Sequence, residues 1–136
     1  VQKVASGGEL SRLLLAVQVV MPETLLPDTL VFDEVEAGLG GQAALLTGLR
    51  LRDLSRSCRI ILITHEATLA ALADQHFLVE RIGSETNIRE VYGDERICEI
   101  ARMLSGDPNM HEAQEHARRI LLGERSGPRL KEDGLN

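Results

Sequence analysis

Aromatic side chains are nearly missing from this sequence. Phe32, Phe77 and Tyr92 are the only three among 136 residues, and there is no tryptophan. A core must therefore come from Leu, Ile, Val and Ala, and stacking on exposed nucleobases is not expected of this chain. A basic excess is missing too. Lys and Arg number 15 against 21 Asp and Glu, a formal charge of −6. That excludes a general electrostatic footprint for nucleic acid, while leaving room for a local basic patch or for contact through other parts of a larger protein. Cys58 and Cys98 are the only cysteines and form no CxxC pair. Two reduced thiols are expected, not a disulfide or a metal centre. No apolar run approaches the length of a membrane helix, so no membrane partner is expected. Nor does the phosphate-cradling pattern G-x-x-x-x-G-K-[ST] occur anywhere. Apolar residues make up 43% of the chain, enough for a buried core, so disorder is not the default.

Periodicity divides the chain into alternating helices and strands. Leu10, Leu13, Leu14, Val17 and Met21 fall at helical spacing. They predict a helix over 9–21, after the Gly7-Gly8 turn and before Pro22. Leu30-Val31-Phe32 is a continuous apolar run, as in a strand buried on both faces. After the glycine turn at 38–41, Leu45, Leu46, Leu49 and Leu54 predict a helix to about Ser55. Arg59 to Thr64 reads as a second buried strand. A helix-length crossover between two strands implies a parallel βαβ unit. A short helix over 67–73 is expected next, then a hairpin of strands 75–81 and 86–92 around Gly83-Ser84. Two more helices are expected, one carrying Ile97, Ile100, Ala101 and Leu104 and ending at 105–108, the other over 111–122. The domain is read as residues 1–122, with 123–136 a flexible tail. The fold class is α/β: a parallel βαβ core plus a hairpin and C-terminal helices.

Three groups of residues carry chemistry. Gly7 and Gly8 let a backbone approach an anion with no Cβ in the way. The helix after them points unpaired N–H groups and its positive dipole end at the same space, and Ser6 can add a hydroxyl. Ser6 and Glu9 also have the spacing of a capping box, a purely structural role. Asp33 and Glu34 end an apolar strand, where the ligand crevice of an α/β sheet lies. Asp33 suits Mg²⁺ and Glu34 suits a general base for an attacking water. His65 follows the second strand at the same sheet edge and can hydrogen-bond a terminal phosphate or that water. Glu36 to Gly41 forms a glycine-rich turn that can carry contacts between subunits or serve as a simple turn before a helix. His76, His111 and His116 show no metal-ligand spacing.

Taken in order, these residues resemble the head of an ABC-type ATPase, and most closely the C-terminal part of the RecN family of SMC-like DNA repair proteins. Val4 to Arg12 looks like the family's signature motif and Thr29 to Glu34 like its Walker B strand. Glu36 to Gly41, with Glu36 and Gly38, looks like the D-loop, and Thr64-His65 like the switch histidine. Ala73 to Phe77, Ile100 to Gly106 and His116 to Arg118 extend the likeness to about residue 122. Transporter domains usually carry Gln in place of Glu9 and Pro in place of Val35. SMC and RecF-type heads usually differ after the shared SGGE. Two departures from the RecN pattern stand out: Glu36 replaces an Asp, and Glu66-Ala67-Thr68 replaces Leu-Pro-Gln.

The resemblance implies ATP and Mg²⁺ as cofactors. Ser6, Gly7, Gly8 and Glu9 would contact nucleotide, Asp33 the metal, and Glu34 with His65 would be catalytic. It implies three partners: a Walker A lobe of the same protein, a second head in a homodimer, and DNA reached through the full-length protein. It further implies DNA double-strand break repair and recombination in the bacterial cytoplasm, at the nucleoid. The chain begins at Val1 rather than Met, close to a motif, and is expected to be an excised fragment, inactive as an ATPase on its own. The alternatives are a non-hydrolysing module for head dimerisation or partner docking, or the head of another SMC or ABC family member.

Overall fold

The computed structural model describes residues 3–5 and 7–123. Its elements run β1 (Lys3–Ala5), α1 (Gly8–Val20), a 3₁₀ turn (Glu23–Leu25), β2 (Thr29–Asp33), α2 (Gly41–Leu54), β3 (Arg59–Ile63), α3 (Ala67–Leu72), β4 (His76–Ile82), β5 (Glu85–Val91), α4 (Gly93–Ser105) and α5 (His111–Leu121). The α/β class and the parallel core are as the sequence implies. The expected tail from Gly123 onward lies, past that residue, outside the described residues.

β1, β2 and β3 form a parallel sheet with β2 in the middle. Val31 stands level with Val4 on one side and Ile61 on the other, and Asp33 is level with Ile63. The strand β1 went unpredicted, because three residues carry no period. β4 and β5 pair antiparallel across the two-residue turn Gly83-Ser84. The segment between α1 and β2 contains a 3₁₀ turn, the only one among the described residues.

Two cores result. Leu30, Phe32 and Val35 pack with Leu15 of α1, Ala44, Leu51 and Leu54 of α2 and Leu69 of α3. Ala67, Ala70, Ile100, Ala101, Ala113 and Ala117 join α3, α4 and α5. The small side chains of this second core let three helices approach closely.

One expectation about a strand needs correction, and two helices bury residues that their apolar spacing does not single out. The second strand is not buried on both sides: Ile61 is 44% and Ile63 53% exposed. Helices cover the sheet face that holds Leu30 and Phe32, and the described residues put no layer on the other. In α1 the buried side chains are Ser11, Leu15 and Gln18, while Leu10, Leu13 and Val17 face outward. In α2 the buried residues are Ala44, Gly48, Leu51 and Leu54, with Leu45, Leu46 and Leu49 outward. Both helices are apolar on several sides, so periodicity identifies the helix without choosing its inner face.

Candidate active site

β2 and β3 are neighbours and run the same way, so their carboxyl ends open at one sheet edge. Asp33 ends β2, and Glu34 starts the loop that leaves it. Glu34 has φ +47°, and it is the one non-glycine residue with positive φ among those described. A Cβ in the left-handed region is crowded by its own backbone, so a glutamate there is strained. The strain is held in place by the Glu34 N–H donating to the Ile63 carbonyl at 2.9 Å and by the Ala37 N–H donating to the Glu34 carbonyl at 3.0 Å. Strain of this kind collects at functional sites.

His65 leaves the end of β3 and meets the Glu34 side chain there. Its Nδ1 lies 3.6 Å from Glu34 Oε1 and 3.7 Å from Glu36 Oε1. The His65 and Glu34 side chains are mostly exposed, whereas Glu36 is buried. The structure thus brings Glu34 and His65, both expected at strand ends, together at the edge where Asp33 ends β2. Glu36 was read as part of a turn that either carries contacts between subunits or simply precedes a helix. The Glu36 carboxylate instead turns inward, accepting hydrogen bonds from the Thr64 hydroxyl and, at 3.4 Å, from the His65 N–H. Gly38, by contrast, remains exposed at the turn.

The glycine end of α1 lies against this same loop. Gly7 is the N-cap, with φ +86°, and makes no side-chain cap hydrogen bond. A Cβ on Gly7 would meet nothing within 4 Å among the described residues beyond its chain neighbours. Gly8 is the opposite case. A Cβ there would sit 2.8 Å from both the Cβ and the carbonyl oxygen of Ala37. Glu9 is exposed in the first turn. Ser6 lies outside the described residues.

Two residues of α1 that sequence reasoning assigned no role complete the arrangement. Arg12 Nη1 donates to the Val35 carbonyl at 3.1 Å and the Ala37 carbonyl at 2.8 Å. The Ser11 hydroxyl donates to the Asp33 carbonyl at 3.1 Å. The helix after the glycines thus holds the loop after Asp33 along most of its length. The signal was visible as Ser11-Arg12 following Gly7-Gly8, but its target lies 22 to 25 residues away.

A Mg²⁺ ion fits this site only in one manner. No group of three His, Cys, Asp or Glu residues able to hold a metal occurs among the described residues. Magnesium typically takes one or two carboxylates, with water and phosphate oxygens filling the rest of its shell. Asp33 meets that requirement as a single carboxylate at the crevice. Away from this edge, Cys58 and Cys98 are both free thiols, and burial raises the pKa of Cys58.

No protein-family model matches the chain. It is 44% identical over 121 residues to the DNA repair protein RecN of Mycobacterium leprae strain TN, covering 88% of this chain and 21% of that protein. With the DNA repair protein RecN of Streptomyces coelicolor it shares 45% identity over 125 residues, 89% of this chain and 22% of the relative. The DNA repair protein RecN of Treponema pallidum is 40% identical over 133 residues, 95% of this chain and 23% of the relative. A solved SMC ATPase structure is 22% identical, with a TM-score of 0.49, over 67% of this chain and 56% of the other. This chain belongs to the RecN family, as a segment spanning about one fifth of the length of the curated relatives it matches.

Proposed function

We propose that this chain is the signature-bearing lobe of a RecN ATPase head, acting in DNA double-strand break repair and recombination. The observation that carries this reading is the meeting of Glu34 and His65, 3.6 Å apart at the carboxyl ends of adjacent parallel strands, with Asp33 beside them. ATP with Mg²⁺ supplies the phosphoanhydride bond whose terminal phosphoryl group passes to water. Asp33 would hold the metal. Glu34 would orient the attacking water and accept its proton. His65 would steady that water or the terminal phosphate by a hydrogen bond. Gly7, Gly8 and Glu9, with Ser6, would meet the nucleotide held by a second head, since a helix N-terminus that opens on glycine offers N–H groups to an anion.

The partners follow from what the chain does not contain. No G-x-x-x-x-G-K-[ST] loop occurs in the sequence, so the phosphate cradle must come from a Walker A lobe of the same protein. The exposed Ile61 and Ile63 on the open sheet face, and the outward Leu10, Leu13, Val17 and Val20 of α1, are apolar surface suited to such a cover. Two such heads would form a homodimer through the signature helix and the turn at Gly38. DNA would be reached through the full-length protein, in the cytoplasm at the nucleoid. No helix among the described residues is long and apolar enough to cross a membrane.

Mixing the chain with the Walker A lobe, and measuring phosphate release, tests the reading. Hydrolysis should appear only in the mixture and should fall by about a hundredfold or more with Glu34→Gln, within the range expected for loss of a general base. An assembled mixture with no hydrolysis would favour a docking module instead.

A further inference from the structure

We propose that Glu36 is a positioning residue for His65, holding the histidine backbone and selecting its ring tautomer; the consequence for hydrolysis rests on the ATPase reading above. Glu36 is only 5% exposed, while the side chain it faces, His65, is 73% exposed. An exposed imidazole has little packing to fix it. Its orientation must come from the backbone that carries it and from the charges beside it.

Glu36 supplies both. Its Oε1 accepts from the Thr64 hydroxyl and from the His65 N–H, on consecutive residues of the β3–α3 loop. The Thr64 oxygen in turn accepts the Glu66 N–H at 2.9 Å. One buried carboxylate oxygen thus organises the loop from Thr64 to Glu66, with His65 at its centre. Glu36 is itself firmly held. The Leu39 N–H donates to its carbonyl at 2.9 Å, and Arg12 binds the carbonyls on either side of it, Val35 and Ala37. Its second oxygen, Oε2, is buried with no hydrogen-bond partner among the described residues. A buried acceptor left so is costly, and such a group persists where the site needs it.

The ring follows from the same geometry. Nδ1 lies 3.6 and 3.7 Å from oxygens of Glu34 and Glu36, beyond direct hydrogen-bond range but near enough for attraction or a bridging water. Two carboxylates on that side favour a proton on Nδ1. Nε2 is then the nitrogen clear of both carboxylates, an acceptor in the neutral ring. A glutamate reaches from the β2 loop to Thr64 across this distance.

Two measurements test this. Nitrogen-15 NMR of the His65 ring in this chain should show the Nδ1–H tautomer. It should move toward Nε2–H in Glu36→Ala and, in part, in Thr64→Val, a milder change that keeps the shape. Glu36→Gln, which retains an acceptor oxygen, should leave the tautomer closer to wild type than alanine does. In the full-length protein containing this chain, Glu36→Ala should lower kcat about 10- to 100-fold, as expected for a misplaced group, with KM for ATP little changed, and Glu36→Gln should recover most of the loss. An unchanged His65 tautomer in both Glu36→Ala and Thr64→Val overturns the proposal whatever the hydrolysis rate. Equal loss of kcat in the alanine and glutamine variants also overturns it. A tautomer shift in these variants, with a wild-type protein that hydrolyses no ATP, supports the hold on His65 and counts against the ATPase reading alone.

Discussion

The sheet edge that carries Asp33, Glu34 and His65 and the helical end built from α3, α4 and α5 treat their polar groups differently. At the helical end, Arg96 gives hydrogen bonds to the carbonyls of Ala70, Ala71 and Ala73, closing the end of α3. Glu99, nearly buried, is paired with Arg102, and Arg89 joins Glu80 to Glu95. Gln114 reaches the Pro108 carbonyl at 2.7 Å. At the sheet edge, Glu34 is held with a left-handed backbone and Glu36 keeps an unpartnered oxygen. Further along α1, Gln18 is 1% exposed, and neither its amide oxygen nor its nitrogen has a partner among the described residues. The strained backbone is confined to the sheet edge, where chemistry is proposed. Unpartnered buried groups are not, since His76 Nδ1 and Arg96 Nε at the helical end also have no hydrogen-bond partner among the described residues.

The two cores should respond to opposite insults. Phe32→Ala empties the centre of the sheet core, where the ring is fully buried, and should cost about 3–5 kcal/mol. Ala117→Leu overfills the helical core and should cost about 1–3 kcal/mol. Urea unfolding of both variants checks the pair, and a Phe32→Ala loss smaller than that of Ala117→Leu would break the contrast between the cores.

A smaller effect tests whether unpaired groups near the sheet do cost stability. Gln18→Met replaces a buried, unpartnered amide by a side chain of similar length and should raise stability by about 1 kcal/mol. A lower urea midpoint in this variant would show that the amide is satisfied in solution.

The smallest effect concerns His76. The half-buried His76 has its pKa lowered from 6.5, first by burial and then by Arg96, with Glu99 opposing. The folded chain therefore binds fewer protons at this site than the unfolded chain. Its contribution leaves stability unaffected above about pH 6.5 and lowers it as pH falls below that value and on toward the folded pKa. His76→Gln should flatten this slope between pH 7.5 and 5.5 in urea titrations. An identical slope in both proteins would remove His76 as its source.

How much could be read in advance differed along the chain. α4 and α5 carry polar residues opposite a narrow apolar face, and Ile100 and Ala101 are buried as their spacing predicts. The end of α4 was legible too, because Gly106 adopts the left-handed cap with φ +82°. In α1 and α2 the same kind of spacing placed the helix but only Leu14 and Leu54 of the spaced residues reach the core. Leu13 and Leu46 are more than half exposed while Ser11 and Gly48 are buried, since a helix apolar on several sides offers no unique inner face. At the site, Asp33, Glu34 and His65 were legible as residues that end strands. The contacts that Glu36, Ser11 and Arg12 make were not, because their partners lie more than twenty residues away.

The sequence by itself determined where the helices and all strands but β1 lie, that β2 and β3 pair in parallel, and which residues reach the sheet edge. Those follow from spacing, glycine and crossover length, all local properties. Only the tertiary structure decided which side of α1 and α2 faces inward, that one sheet face stays open, and that Glu36 turns toward His65. Each of those depends on what packs from a distant part of the chain, and burial is a property of neighbours in space, which a one-dimensional pattern does not contain.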